Sequence, residues 1–246
     1  MTWRFIPFKH YSPYVKIALN EVAVDSVRKT SRPIVWLAGW KPGCINIGYG
    51  QHIADVVNLD EARKRKIPIV RRQGGGGAMF LSEKGEISWS VVAPERFFPQ
   101  NPNKIYERVC ARIVNALTDL GITSWHKPIN DVVTEKGKIS GATIKKEAGV
   151  VYVAGTLLYA ADVELMRKLL RPERDHLKRQ KTPEKFKQVT CVSEFCDARF
   201  SDAVKALKDN LLKGVDYNED TWTLKEVSQA RKLSEKYKSK KWVYQL

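Results

Sequence analysis

Apolar residues recur at helical spacing in two long stretches. Leu19, Val22, Ala23 and Val27 mark a helix over residues 14–30, and Ile105, Val109, Ile113 and Leu117 mark a second that stops at Gly121. Between them the pattern shortens. "PIVWLAGW" and "GCINIGYG" are apolar runs bounded by Pro or Gly and read as strands. Asn58 is placed to cap a short helix, "LDEARKRK", which Pro68 ends. "IPIVRR" is a strand that runs directly into "QGGGGAMF"; a polar turn, "SEKGE", leads on to the alternating strand "ISWSVVA". Residues 131–160 read as short strands joined by tight turns. From Asp162 onward the pattern becomes helical, with Ala203, Leu207 and Leu211 on one stripe. Leu224, Val227 and Ala230 begin another, continued by Leu233 and Tyr237. Strands flanked by helices, without regular βαβ alternation, predict an α+β fold with a mixed sheet. The expected organisation is a single domain over residues 1–246 with a helical tail from about residue 180, near the charged, Pro-containing "RPERDHLKRQKTPEKFK".

Composition narrows the class. Hydrophobic residues at 43% and charged residues at 28% suit a globular chain, and no apolar run reaches the roughly 20 residues that span a bilayer. The start, "MTWRFIPFKH", lacks a leader pattern, and Cys44, Cys110, Cys191 and Cys196 are too scattered for a disulfide framework. A cytoplasmic protein with reduced, inert thiols is expected. The net charge of +16 favours an anionic partner. Nucleic acid is disfavoured, because no zinc-finger, helix-turn-helix or RNA-recognition signature accompanies the charge. An acidic protein or a phosphate-bearing small molecule fits equally well.

The run "IVRRQGGGGAMF" carries the candidate chemistry. A Walker A loop would need Gly-Lys-Ser/Thr at its end, and a Rossmann fingerprint would need a helix to follow; neither context is present. What remains is a strand–loop–strand. Bare amides of Gly74, Gly75, Gly76 and Gly77 can form an anion-binding concavity, with the guanidinium forks of Arg71 and Arg72 beside it. The competing reading is a surface hairpin whose glycines only turn the chain.

Three blocks, in order, resemble the lipoate–protein ligase A family of the biotin/lipoate ligase superfamily. They are "PGCINIGYGQHIADVVNLDEARKRKIPIVRRQGGGGAMF", "INDVVTEKGKISGATIKK" and "AGTLLYAADVELMRKLLRP". The closing helix "QARKLSEKYKSKKWVY" is also similar. The resemblance implies a mixed, largely antiparallel sheet flanked by helices, similar to the class II aminoacyl-tRNA synthetase and biotin ligase catalytic fold. It implies that lipoate and ATP give lipoyl-AMP, whose acyl group then passes to a lysine of an acidic lipoyl-carrier domain. By the same resemblance Lys138 contacts the carboxyl–phosphate junction, and Arg71, Arg72, Gly74–Gly77, Ala78, Asn130, Ser140, Gly141, Gly155 and Thr156 bind substrate or adenylate. Asp131 would ligate Mg²⁺, a hard cation that prefers oxygen. The dithiolane tail needs an apolar slot, for which Ile45, Ile47, Gly48 and Tyr49 are candidates.

Departures from the family pattern bear on activity. The family usually has His where this chain has Leu81, and commonly has His where it has Ala154. The chain ends where many relatives continue into an accessory domain, so a separate accessory subunit is expected. The nearest rival is a cysteine-dependent octanoyltransferase that works without ATP; where one such branch has Cys, this chain has Thr143. A biotin ligase is disfavoured by its different glycine pattern, and a non-catalytic binding protein is the remaining alternative.

Overall fold

A computed structural model describes residues 1–171 and 188–246. The elements run β1 (Trp3–Tyr11), α1 (Pro13–Thr30), β2 (Ile34–Trp40), β3 (Cys44–Ile47), α2 (Ile53–Val56), α3 (Leu59–Lys64), β4 (Ile69–Arg71), β5 (Met79–Leu81) and β6 (Glu86–Pro94). Then follow α4 (Pro102–Thr118), β7 (Trp125–Lys127), β8 (Asp131–Thr134), β9 (Gly137–Glu147), β10 (Val150–Leu158) and α5 (Val163–Leu169). The last are α6 (Phe200–Leu211), β11 (Tyr217–Glu219), α7 (Leu224–Lys238) and α8 (Lys240–Val243).

Eight strands form one sheet in the order β11-β1-β2-β6-β10-β9-β8-β7. Only the β11–β1 and β1–β2 pairs are parallel, so the sheet is mixed and largely antiparallel. Both strands are covered on two faces and buried along their whole length, so β2 is apolar throughout, while β6 places Glu86, Ser88 and Ser90 on one face. Val35, Leu37, Ile87, Trp89, Val151 and Val153 face a core shared with Ile105, Ile113 and Leu207 of α4 and α6. Trp36, Ala38, Trp40, Tyr152 and Ala154 face the opposite core, built with Leu19, Val22 and Val27 of α1 and Ala230 and Tyr237 of α7. A smaller sheet, β4-β3-β5, packs on a third cluster with α2, α3 and α5.

Differences from the periodicity have local causes. Sequence pattern does not single out β1, since Pro7 interrupts it and its pairing with β2 shifts register between Ile6 and Lys9. The edge strand β11 is exposed at all three positions and carries no apolar signal. After Asp162, α5 runs to Leu169 and the described Leu170 and Arg171 are not helical; beyond the undescribed residues, Lys138 N donates to Gln188 O and Thr190 N to Lys138 O, both at 2.9 Å. The expected boundary near residue 180 lies outside the described residues. Asn58 does cap α3, accepting from the Glu61 amide at 3.3 Å.

Candidate functional site

The faces of β6, β10 and β9 turned toward α1 floor a cavity of about 250 Å³, walled by α1 and the glycine loop. Part of the glycine requirement is chain against chain. A Cβ on Gly48 would stand 2.1 Å from the Gly76 carbonyl oxygen, and Gly76 takes a left-handed φ of 91°. Gly75 and Gly77, by contrast, would meet nothing within 4 Å, so their backbone faces open space at the cavity rim.

The loop is held from three sides through Gln73. Its Nε2 donates to Glu21 Oε2 at 2.6 Å and to the Tyr237 hydroxyl at 2.8 Å, while Lys145 Nζ donates to its Oε1 at 2.5 Å. Tyr237 in turn donates to Glu21. Thus α1, α7 and β9 all fix one glutamine in the loop.

The two arginines separate. Arg71 is fully buried, and its guanidinium donates to the carbonyls of Gly48, Tyr49, Gln51 and Val243 at 2.7 to 3.1 Å. It braces the scaffold and does not line the cavity, which corrects the expectation that it holds ligand oxygens. Arg72, one residue on, lines the cavity and curls over the loop, donating to Gly75 O and Gly77 O at 2.8 Å. Strand alternation is the physical reason.

The same parity corrects the acyl slot. Ile45 and Ile47 are buried with Phe80, Val57 and Leu169 in the third cluster, away from the cavity, and Tyr49 is 49% exposed beside Trp242. Gly48 packs on the loop. Asn46, between the two isoleucines, lines the cavity instead. The apolar walls are Ile17, Val24, Trp40, Met79, Leu81, Tyr152, Ala154 and Leu158, so both positions of the family histidines are cavity wall.

Lys138, Ser140, Gly141, Asn130, Gly155, Thr156, Ala78 and Gly74–Gly77 all line this cavity. Lys138 sits where β8–β9 pairing slips, Val132 opposing Ser140 but Val133 opposing Lys138. That bulge leaves Ile139 buried in the core and turns its neighbours to the cavity. A Cβ on Gly141 would lie 2.7 Å from both Cε and Nζ of Lys138, so the lysine crosses a gap that only glycine leaves. Its ammonium pairs with Asp131 Oδ1 at 2.6 Å. Asn130 Nδ2 donates to Ala142 O at 2.5 Å and locks the turn beneath them. Among the described residues no three His, Cys, Asp or Glu side chains converge, and Asp131 has Lys138 as its ion-pair partner.

None of the four cysteines lines the cavity. Burial raises the Cys44 thiol well above its ordinary range, and burial beside Asp131 pushes Cys110 up to about 12. Sequence reasoning did not single out Lys16, Asn20, Asn46 or Gln73. Lys16 had a readable signal, because it falls on the buried stripe of α1 with Ala23 and Val27.

A mixed sheet floors this cavity, with a glycine loop and a lysine at its rim. The chain belongs to the family described as the lipoyl protein ligase A/B catalytic domain, which matches residues 12–214. It is 22% identical over 272 residues to the octanoyltransferase LipM of Staphylococcus epidermidis, covering 98% of each chain. It is 32% identical over 177 residues to a lipoate-protein ligase A-like protein of Aeropyrum pernix, covering 71% of this chain and 65% of that one. It superimposes on the bi-partite lipoate protein ligase of Thermoplasma acidophilum with a TM-score of 0.86 at 25% identity, covering 99% of this chain and 96% of that one. No helix among the described residues is long and apolar enough to cross a membrane.

Proposed function

We propose that this chain is an ATP-dependent lipoate–protein ligase. The observation that carries the proposal is the pairing of a lysine and bare loop backbone at the rim of a cavity that, among the described residues, no thiol lines. A carboxylate is a poor electrophile, so its oxygen must first attack the α-phosphorus of ATP, releasing pyrophosphate and leaving AMP as the leaving group. Lys138 supplies a fixed positive charge where both anions meet, and the amides of Gly75 and Gly77 with Arg72 flank the phosphates. Lysine serves here as a compact cation on a movable stem. In the second step an amine of the carrier domain attacks the acyl carbonyl, and AMP departs. Asp131, beside Lys138, would supply one oxygen ligand to a Mg²⁺ that the substrate phosphates also hold.

A second reading, octanoyl transfer without ATP, draws on the end-to-end match to LipM. It needs a nucleophilic thiol at the acyl carbonyl. Thr143 stands in the cavity wall where that branch carries cysteine, and the buried thiols of Cys44 and Cys110 are held protonated. The ligase therefore accounts for more of the site.

Pyrophosphate exchange with lipoate, octanoate or biotin supplied in turn tests the choice. Lipoate-dependent exchange, lost in Lys138→Ala, is expected. Transfer from octanoyl carrier without ATP, abolished at a cysteine, would overturn the proposal. The bi-partite Thermoplasma acidophilum ligase makes a separate accessory polypeptide part of this reading, so exchange that starts only on its addition fits. With a net charge of +16, docking of an acidic carrier domain should weaken as salt rises.

A further inference from the structure

At the other end of the cavity lies a second cation that the chemistry above does not use. Lys16, on the first turn of α1, is 4% exposed and lines the cavity beside Trp40 and Ser88. Its Nζ stands 5.0 Å from the Trp36 ring centroid and 4.9 Å from that of Trp40. Among the described residues it has no hydrogen-bond or ion-pair partner. The indole faces recover part of the cost of burying a cation, but an unpaired buried charge remains expensive. Two further cavity atoms share its condition: Asn20 Oδ1 and Thr156 Oγ1 are buried without a partner.

Register places this end relative to Lys138. Ala38 pairs with Ser88, Ser88 with Thr156, and Thr156 with Gly141, which lies under the Lys138 side chain. Trp40 follows Ala38 on the same face of β2 and donates from Nε1 to Ser88 Oγ at 2.9 Å. Three strand spacings of about 4.8 Å separate β2, which carries Trp40, from β9, which carries Lys138, so these strands stand roughly 14 Å apart across the sheet. An acyl chain with its carboxyl at Lys138 and its tail along Thr156 and Ser88 ends beneath Lys16.

We infer that Lys16 is a specificity-determining residue, whose ammonium between Trp36 and Trp40 reads the far end of the acyl chain and selects acids ending in an electron-pair donor over acids ending in plain alkyl. The inference rests on the acyl-cavity reading of the site. A terminal methyl would leave the ammonium and Asn20 Oδ1, one helical turn on, unpaired. A dithiolane sulfur, a hydroxyl or a carboxylate would give the ammonium an acceptor, and a hydroxyl would also donate to the Asn20 oxygen.

Calorimetric titration of the whole protein with octanoate, 8-hydroxyoctanoate, octanedioate and lipoate tests this without ATP, and separates sulfur, hydroxyl and carboxylate as the donor. The wild-type protein should bind at least one donor-ended acid on the order of 10-fold or more tightly than octanoate. In Lys16→Met that ratio should collapse toward one while octanoate binds as well or better. Tryptophan fluorescence of the variant reports whether Trp36 and Trp40 keep their packing. A wild-type preference for octanoate, or a ratio unchanged in Lys16→Met, would overturn this inference alone. Failure to bind any of the four acids would overturn the acyl-cavity reading together with it.

Discussion

The two lysines of the cavity show how surroundings divide one side chain into two jobs. Lys138 rides on a strand bulge with its side chain a third exposed and Asp131 as counter-ion. Lys16 sits on a helix, 4% exposed, with indole faces in place of an anion. The first is a charge held ready where new charge develops. The second is a charge whose value is set by burial and by whatever enters the cavity. On the proposed reading, the same formal cation serves activation at the wet end and discrimination at the dry end.

The largest expected effect concerns what braces the wet end. Arg71→Met should leave the carbonyls of Tyr49, Gln51 and Val243 without their arginine donor, and that of Gly48 with only the Gln51 amide at 3.3 Å. At about 1–3 kcal/mol for each orphaned group, the loss of folding stability should be about 4 kcal/mol or more. A urea melt of Arg71→Met beside Arg72→Met checks it. Equal melts would mean that the buried arginine is not the brace.

Next comes the rim lysine itself. Lys138→Ala should slow lipoate-dependent pyrophosphate exchange on the order of 10²–10³-fold, the range for removing one preorganised electrostatic contact, with little change in melting. Gly141→Ala sharpens the same point without touching the lysine. The new Cβ would claim space within 2.7 Å of Lys138 Cε and Nζ, so the flexible tip must move. A misplacement near 1 Å costs on the order of 10²-fold in rate, and the fold should survive because a side-chain tip, not backbone, gives way. Full activity in Gly141→Ala would show that the ammonium's resting place does not matter.

How much of this was readable follows the same division. Periodicity gives the strands flooring the cavity and both flanking helices, because burial on two faces or one stripe leaves a direct imprint. The glycine loop is readable because glycine there serves close backbone approach, whereas the segment Lys138–Gly141 stands out only through its resemblance to the family's Lys-Ile-Ser-Gly. What a linear pattern leaves undetermined is side. Arg71 and Arg72, or Ile45 and Asn46, differ by one residue and hence by a face, and only strand pairing decides which face meets the cavity. Lys16 is the opposite case. A lysine on the buried stripe with Ala23 and Val27 is visible in the sequence, and its meaning appears once Trp36 and Trp40 are known to lie beneath it.

The last expected effect is a pH signature of the dry end. Burial lowers Lys16 to about 7 from 10.5, and burial raises Glu86, on β6 in the same row of strand faces, to about 8 from 4.5. Stability rises with pH wherever the unfolded chain holds more protons than the native one. For Lys16 that window runs from about 7 to 10.5, so its contribution climbs there. For Glu86 the native state holds the extra proton between 4.5 and about 8, so its contribution falls there. The two slopes oppose each other only between about 7 and 8, which places a shallow minimum in that interval. Urea midpoints from pH 5 to pH 9, below the range where the raised Cys44 and Cys110 thiols pull the other way, should show it. Lys16→Met should flatten the alkaline limb and leave the acid limb, whereas Glu86→Gln should do the reverse. If Lys16→Met left the alkaline limb intact, the ammonium would not be desolvated in the folded protein, and the contrast with Lys138 would reduce to sequence position.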